Sequence, residues 1–174
     1  MESDLTSNLK DNRDPLYFFR IEDAKQVSDI KELWTNYNNA ANALQNTLGR
    51  TSNIVGEYAE YLTAKYYGGE RLIASYKSAD VKVIHNNTEI FYQVKARKLN
   101  KLTSSQLGII RSWDFDFLIV IIFDSDGIIL KALEIPVSIA QEYAKENDHQ
   151  NGWVITTTQD FLNNSSSRDI TGLI

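Results

Sequence analysis

Residues 78–98 read SADVKVIHNNTEIFYQVKARK, and this stretch decides the fold. At its middle lies His85-Asn86-Asn87-Thr88. Asparagine tolerates positive φ, which both central residues of a tight two-residue hairpin turn require. With Asn86 and Asn87 as the turn, His85 faces Thr88, and counting outward sets Asp80 directly opposite Gln93. One face of the hairpin then collects Ala79, Val81, Val83, Ile90, Tyr92, Val94 and Ala96, an apolar surface for a core. The other collects Asp80, Lys82, Ile84, Glu89, Phe91, Gln93, Lys95 and Arg97. Slipping one strand by a single residue destroys this separation, so the turn and the apolar face argue for the same register. The second face has the pattern of a sheet surface open to solvent.

Working outward, the period changes from two to that of a helix. Upstream, Ile30, Leu33, Trp34, Tyr37, Ala41, Leu44 and Leu48 form one apolar stripe of a helix with Ser28 as its N-cap. The stripe suits core packing or, alternatively, a dimer or partner face. A second helix runs from about Ile54 to Tyr67, capped by Thr51, Ser52 or Asn53 and ended by Gly68-Gly69. Its buried stripe is read as Ile54, Tyr58, Leu62 and Tyr66, with Glu57 and Glu60 sharing a face beside it. Strands are expected at 71–76, 79–85, 89–97, 116–123 and 128–134, and a short helix at 103–111. Pro136 suits the first turn of a further helix over 137–147, and one more strand is expected from Trp153 to Thr157. Trp113-Asp114-Phe115-Asp116 reads as a turn into a buried strand. Asp124-Ser125-Asp126-Gly127 resembles part of a calcium-binding loop but lacks the later ligands, and a hairpin turn is the better reading. Residues 1–15 are polar and read as loose, and the last ten carry no clear signal. The reading is one α/β domain over 51–174, with a mixed central sheet flanked by helices, and an N-terminal tail and helix over 1–50 that extends it or packs on it.

Composition narrows the chemistry. The chain has 174 residues, 43% of them hydrophobic, enough for one real core. It has no cysteine, so thiolate zinc sites are excluded, and its two histidines lie far apart without a ligand-spaced partner, which argues against a histidine zinc site. Any metal rests on oxygen ligands, which favours Mg²⁺, Mn²⁺ or Ca²⁺. The longest apolar run, 117–123, is too short to cross a bilayer, and the polar N-terminus is no signal peptide, so the expected compartment is the cytoplasm. Net charge is −5, yet Lys95, Arg97, Lys98 and Lys101 place four cations within seven residues. Such a local patch can meet a polyanion that the whole surface repels.

Directly opposed side chains in an antiparallel pair hold their Cβ atoms about 4.5–5.5 Å apart. Lys95 lies two residues beyond Gln93 and shares its face. A carboxylate, an amide and an ammonium thus converge on one patch. Phosphodiester hydrolysis needs an activated water, neutralisation of charge at phosphorus, and help for the leaving oxygen. A divalent ion on oxygen ligands supplies the first two. Asp80 is its natural anchor, and Gln93 or the Val94 carbonyl can add a neutral oxygen. Lys95 can orient or deprotonate the water, or stabilise the pentavalent charge. Glu57, from the helix before the sheet, is the best further carboxylate, with Glu60 in reserve.

The order helix Glu57, then Asp80, then Gln93-Val94-Lys95 resembles the PD-(D/E)xK nuclease superfamily, the restriction-endonuclease-like fold. The segment LGRTSNIVGEYAEYLTAKYYGG looks like that fold's first helix, SADVKV like the strand with the acid, and IFYQVKARK like the strand with the signature lysine. KLTSSQLGIIRSWDFDFLIVIIF looks like the helix and strand that complete the core. The likeness covers about 50–135. The commonest pattern has Asp or Glu where this chain has Gln93, and Pro where it has Ala79. The Gln-x-Lys form resembles the Mrr-like branch of restriction endonucleases. The resemblance implies a Mg²⁺- or Mn²⁺-dependent DNA endonuclease, as a homodimer, with Asp80, Gln93 and Glu57 at the metal and Lys95 as catalytic lysine. Arg97, Lys98, Lys101 and Arg111 become phosphate contacts. A catalytically silent nucleic-acid-binding or protein-interaction subunit of the same fold fits the same residues, as does a nuclease for RNA or branched DNA.

Overall fold

The computed structural model describes residues 24–48, 53–73 and 78–174. The expectations for residues 1–15, for Thr51 and Ser52 as caps and for strand residues 74–76 lie outside the described residues. The chain divides into two units, Met1–Ala43 and Leu44–Ile174. Helix α1 spans Ala24–Leu48, starting five residues before the first helical position that a Ser28 cap implies. Along it Leu33 is 67% and Leu44 45% exposed.

Helix α2 spans Ile54–Tyr67 as read. The Asn53 side chain accepts from the Gly56 N–H at its start, and Gly68 ends it in the left-handed region at φ 66°, a conformation glycine adopts without steric cost. The buried residues are Glu57, Ala59, Thr63 and Ala64, while Tyr58 and Tyr61 are each 41% exposed. The expected stripe of Ile54 and Tyr58 is therefore rotated: small side chains face the sheet and let the helix sit close to it.

Strands follow in the order β1 (Glu70–Arg71), β2 (Val81–His85), β3 (Thr88–Lys98), β4 (Phe117–Phe123) and β5 (Ile129–Pro136), with β8 (Arg168–Asp169) near the C-terminus. They lie side by side as β1-β2-β3-β4-β5-β8. β3 and β4 are parallel and the other pairs antiparallel, so the sheet is mixed, as expected. Asn86 and Asn87 stand at φ 49° and 62°, and His85 pairs with Thr88, Val83 with Ile90 and Val81 with Tyr92. That is the register derived from the turn. Asp124 caps its own turn, its Oδ1 accepting from Asp126 N and Ile128 N at 2.8 Å.

β4 is buried on both faces, which explains its unbroken apolar sequence. Ile119, Ile121 and Phe123 meet Val81, Val83, Tyr92, Val94 and Ala59 beneath α2. Leu118, Val120 and Ile122 meet a second layer with Leu107, Ile110, Phe115, Ala140, Ile155 and Phe161. That layer is built from residues 99–115, helix α3 (Val137–Tyr143), the hairpin β6 (Ala144–Asn147) and β7 (Gly152–Ile155), and helix α4 (Gln159–Leu162).

Three expectations change here. Residues 103–111 are extended: Leu107 N donates to Ile155 O, Ile110 N to Trp153 O, and Thr157 N to Ser105 O. Gly108 and the β-branched Ile109 and Ile110 weaken a helix, and β7 offers the backbone partners that decide the outcome. Helix α3 stops at Tyr143, where Ala144–Asn147 turns to pair with β7. Finally, the polar face of the hairpin is only half open. Near the turn, Ile84 is 64% exposed and Lys82 pairs with Glu70 at 2.9 Å and Glu89 at 3.5 Å. Farther along, Phe91 and Gln93 lie beneath the second layer, and Ala79, ahead of β2, joins that layer instead of the α2 side.

Candidate functional site

Asp80 ends the loop that enters β2. Its backbone is pinned on both sides: its N donates to Tyr92 O at 2.8 Å, and its O accepts from Leu72 N at 2.8 Å. This fixes the side chain over β3, where the carboxylate accepts from Val94 N at 2.7 Å and from the Gln93 amide. Gln93 is 5% exposed. Asp80 and Gln93 are thus in direct side-chain contact, although the backbone ladder ends at Val81–Tyr92, and Asp80 satisfies a backbone donor of β3 just before β2 begins.

Lys95 follows on the same face of β3. Gly108 stands over its aliphatic stem, and a Cβ at that glycine would lie 3.7 Å from the lysine Cδ. Burial lowers the ammonium pKa below its ordinary value; Asp80 and Glu60 pull it back up, and Arg111 and Arg97 push it down. Asp80, Gln93 and Lys95 therefore form one partly covered, charged patch at the end of the hairpin away from its turn.

Glu57 stands in a different set of contacts. It is 4% exposed and forms an ion pair with Arg71, which also reaches Glu60 at 3.6 Å and donates to Leu48 O at 3.2 Å. Arg71 lies opposite Val81 in the β1–β2 pair, one residue before Leu72, the donor to Asp80. Sequence reasoning missed Arg71. The signal was present: neither Glu57 nor Glu60 has a cation four residues on in α2, so each needed one from elsewhere.

The four expected phosphate contacts separate into two kinds. Arg97 donates to Gln106 O at 2.6 Å, and Arg111 to Gln150 O and, at 3.0 Å, to Asn151 O, so both guanidinium groups tie down the second layer. Lys98 and Lys101 are exposed. Thr157, 1% exposed, was also not foreseen: its Oγ1 accepts from Ser105 N at 3.0 Å and fastens the segment that covers Lys95.

Among the described residues no three Asp, Glu or His side chains are placed together to hold a metal. The donors beside Asp80 still fit a hard cation. The carboxylate supplies one charged oxygen, and a half-turn of the Gln93 amide presents Oε1 in place of Nε2. One or two carboxylates with retained waters suit Mg²⁺. Among the described residues no helix is long and apolar enough to cross a membrane.

No protein-family model matches the chain, and no curated protein is significantly similar to it. Among solved structures it is similar to a bacterial homing endonuclease, I-Ssp6803I, at a TM-score of 0.40 and 18% identity, over 62% of this chain and 75% of that one. That likeness is too distant to speak to function, which rests on the residues themselves.

Proposed function

We propose that this chain is a metal-dependent DNA endonuclease of the restriction-endonuclease-like, PD-(D/E)xK type, acting as a homodimer. The observation that carries the reading is the contact of Asp80 with Gln93 and Val94, with Lys95 on the same face and drawn toward Asp80 by charge. Asp80 and Gln93 hold Mg²⁺ or Mn²⁺ through oxygen. When bound, that ion supplies a polarised phosphate and an acidified water. Burial lowers the Lys95 pKa, which makes its amine a readier proton acceptor than that of an exposed lysine, and its protonated form stabilises charge on the phosphate oxygens. The second layer over Lys95 limits water around the amine. Lys98 and Lys101, exposed just past β3, contact the DNA backbone. Lys95→Ala tests the reading: cleavage of DNA in Mg²⁺ or Mn²⁺ should vanish while the fold and DNA binding persist.

One observation favours a second reading, a silent nucleic-acid-binding subunit of the same fold. Asp80 already satisfies Val94 and Gln93, and Gln93 withholds a negative charge from the site. Isothermal titration with Mn²⁺ decides between them, since a silent subunit gives no heat that depends on Asp80.

A further inference from the structure

The ion pair on α2 bears on how such a site is charged. Glu57 and Glu60 are both poorly exposed, at 4% and 18%, and both face the Arg71 guanidinium, itself 14% exposed. Arg71 is tethered at a third point by Leu48 O. Its strand continues directly into Leu72, which holds the Asp80 backbone. A guanidinium can grip two carboxylates and a carbonyl at once because its donors fan out in one plane. Arg71 pairs in the β1–β2 ladder with Val81, the residue next to Asp80, so the helix acids it holds stand beside the strand that carries Asp80.

We propose that Arg71 is the resident cation of this site and competes with a divalent ion for Glu57. In the free protein the helix carboxylates are neutralised by Arg71, and metal affinity rests on Asp80 and Gln93. Releasing Arg71 frees Glu57 to add a charged oxygen. A DNA phosphate is the natural agent of release, because a guanidinium exchanges a carboxylate for a phosphate with the same paired geometry. Metal capture and substrate binding are then coupled. This proposal rests on the nuclease reading above.

The test is Mn²⁺ binding to the full chain by isothermal titration, without DNA. Arg71→Gln should bind Mn²⁺ at least tenfold more tightly than the wild type, and Glu57→Gln added to it should cancel the gain. An Arg71→Gln protein with unchanged or weaker affinity overturns the proposal. Should near-ultraviolet circular dichroism show that Arg71→Gln does not fold, Arg71→Lys replaces it: a lysine keeps the charge but cannot bridge both acids, so a rise of about threefold is expected and no rise overturns the idea. Asp80→Asn separates the two levels of inference. Wild-type binding that Asp80→Asn abolishes, with no effect at Arg71, refutes only the competition. Absence of Mn²⁺ binding by every variant refutes the metal site beneath it as well.

Discussion

Replacing Asp80 separates its structural work from its chemistry. The carboxylate accepts two hydrogen bonds, from Val94 N at 2.7 Å and from the amide of Gln93, which is 5% exposed. Asp80→Ala strands both donors. A hydrogen bond to a charged group contributes roughly 1.5–3 kcal/mol, and water entering the gap recovers part of it. The expected loss of stability is about 3 kcal/mol. Both bonds end on the same carboxylate oxygen, Oδ2, so Asp80→Asn with its amide oxygen in that place keeps both and loses only their charge, and the expected loss is only about 1 kcal/mol. Both variants should lose cleavage. Urea unfolding followed by tryptophan fluorescence measures the first quantity, with Trp113 and Trp153 reporting from the second layer. The reasoning fails if Asp80→Ala unfolds within about 0.5 kcal/mol of the wild type, or if Asp80→Asn loses as much as Asp80→Ala.

Four further outcomes follow from the same contacts. Lys95→Met should keep or raise stability at pH 7 in urea melts, since it replaces a buried ammonium with an apolar chain of similar length. Because the folded-state pKa of Lys95 lies below its unfolded value near 10.5, the unfolded chain binds the extra proton between the two. Wild-type stability should therefore rise with pH across that interval, relative to Lys95→Met, as the urea midpoint will show. Glu57→Gln removes one partner of a buried ion pair, which costs roughly 3–5 kcal/mol when no hydrogen bond is kept; the amide keeps one, so thermal melts should fall at or below the low end. Thr157→Val leaves the Ser105 N–H without its acceptor, at a cost of about 1–3 kcal/mol, and hydrogen exchange at Ser105 should quicken.

The hairpin was legible because two independent constraints met there. Consecutive asparagines with positive φ set the turn, and alternation set the faces, so the register from His85–Thr88 to Val81–Tyr92 is legible and brings Asp80 beside Gln93. Helix α2 was legible through its caps, Asn53 and Gly68. The rotation of its buried face was not, because Tyr58 and Ala59 differ by one position and only the distance to the sheet decides which turns inward. Residues 103–111 carry an apolar pattern too short to separate helix from strand, and their partner, β7, lies some fifty residues on. The same non-local contact hid the cover over Lys95. The need for a cation beside Glu57 and Glu60 was legible, but not that Arg71 supplies it: its partners stand on another element, and local sequence does not say which cation answers a buried glutamate.

The most direct measurement is a cleavage assay on plasmid, linear, single-stranded and junction DNA with Mg²⁺ or Mn²⁺, run on the wild type beside folded Asp80→Asn and Lys95→Met. The account predicts that the wild type cuts at least one of these and that both variants are at least a hundredfold slower. A Lys95→Met protein that cuts at the wild-type rate, or a wild type that cuts none of them with either ion, contradicts it.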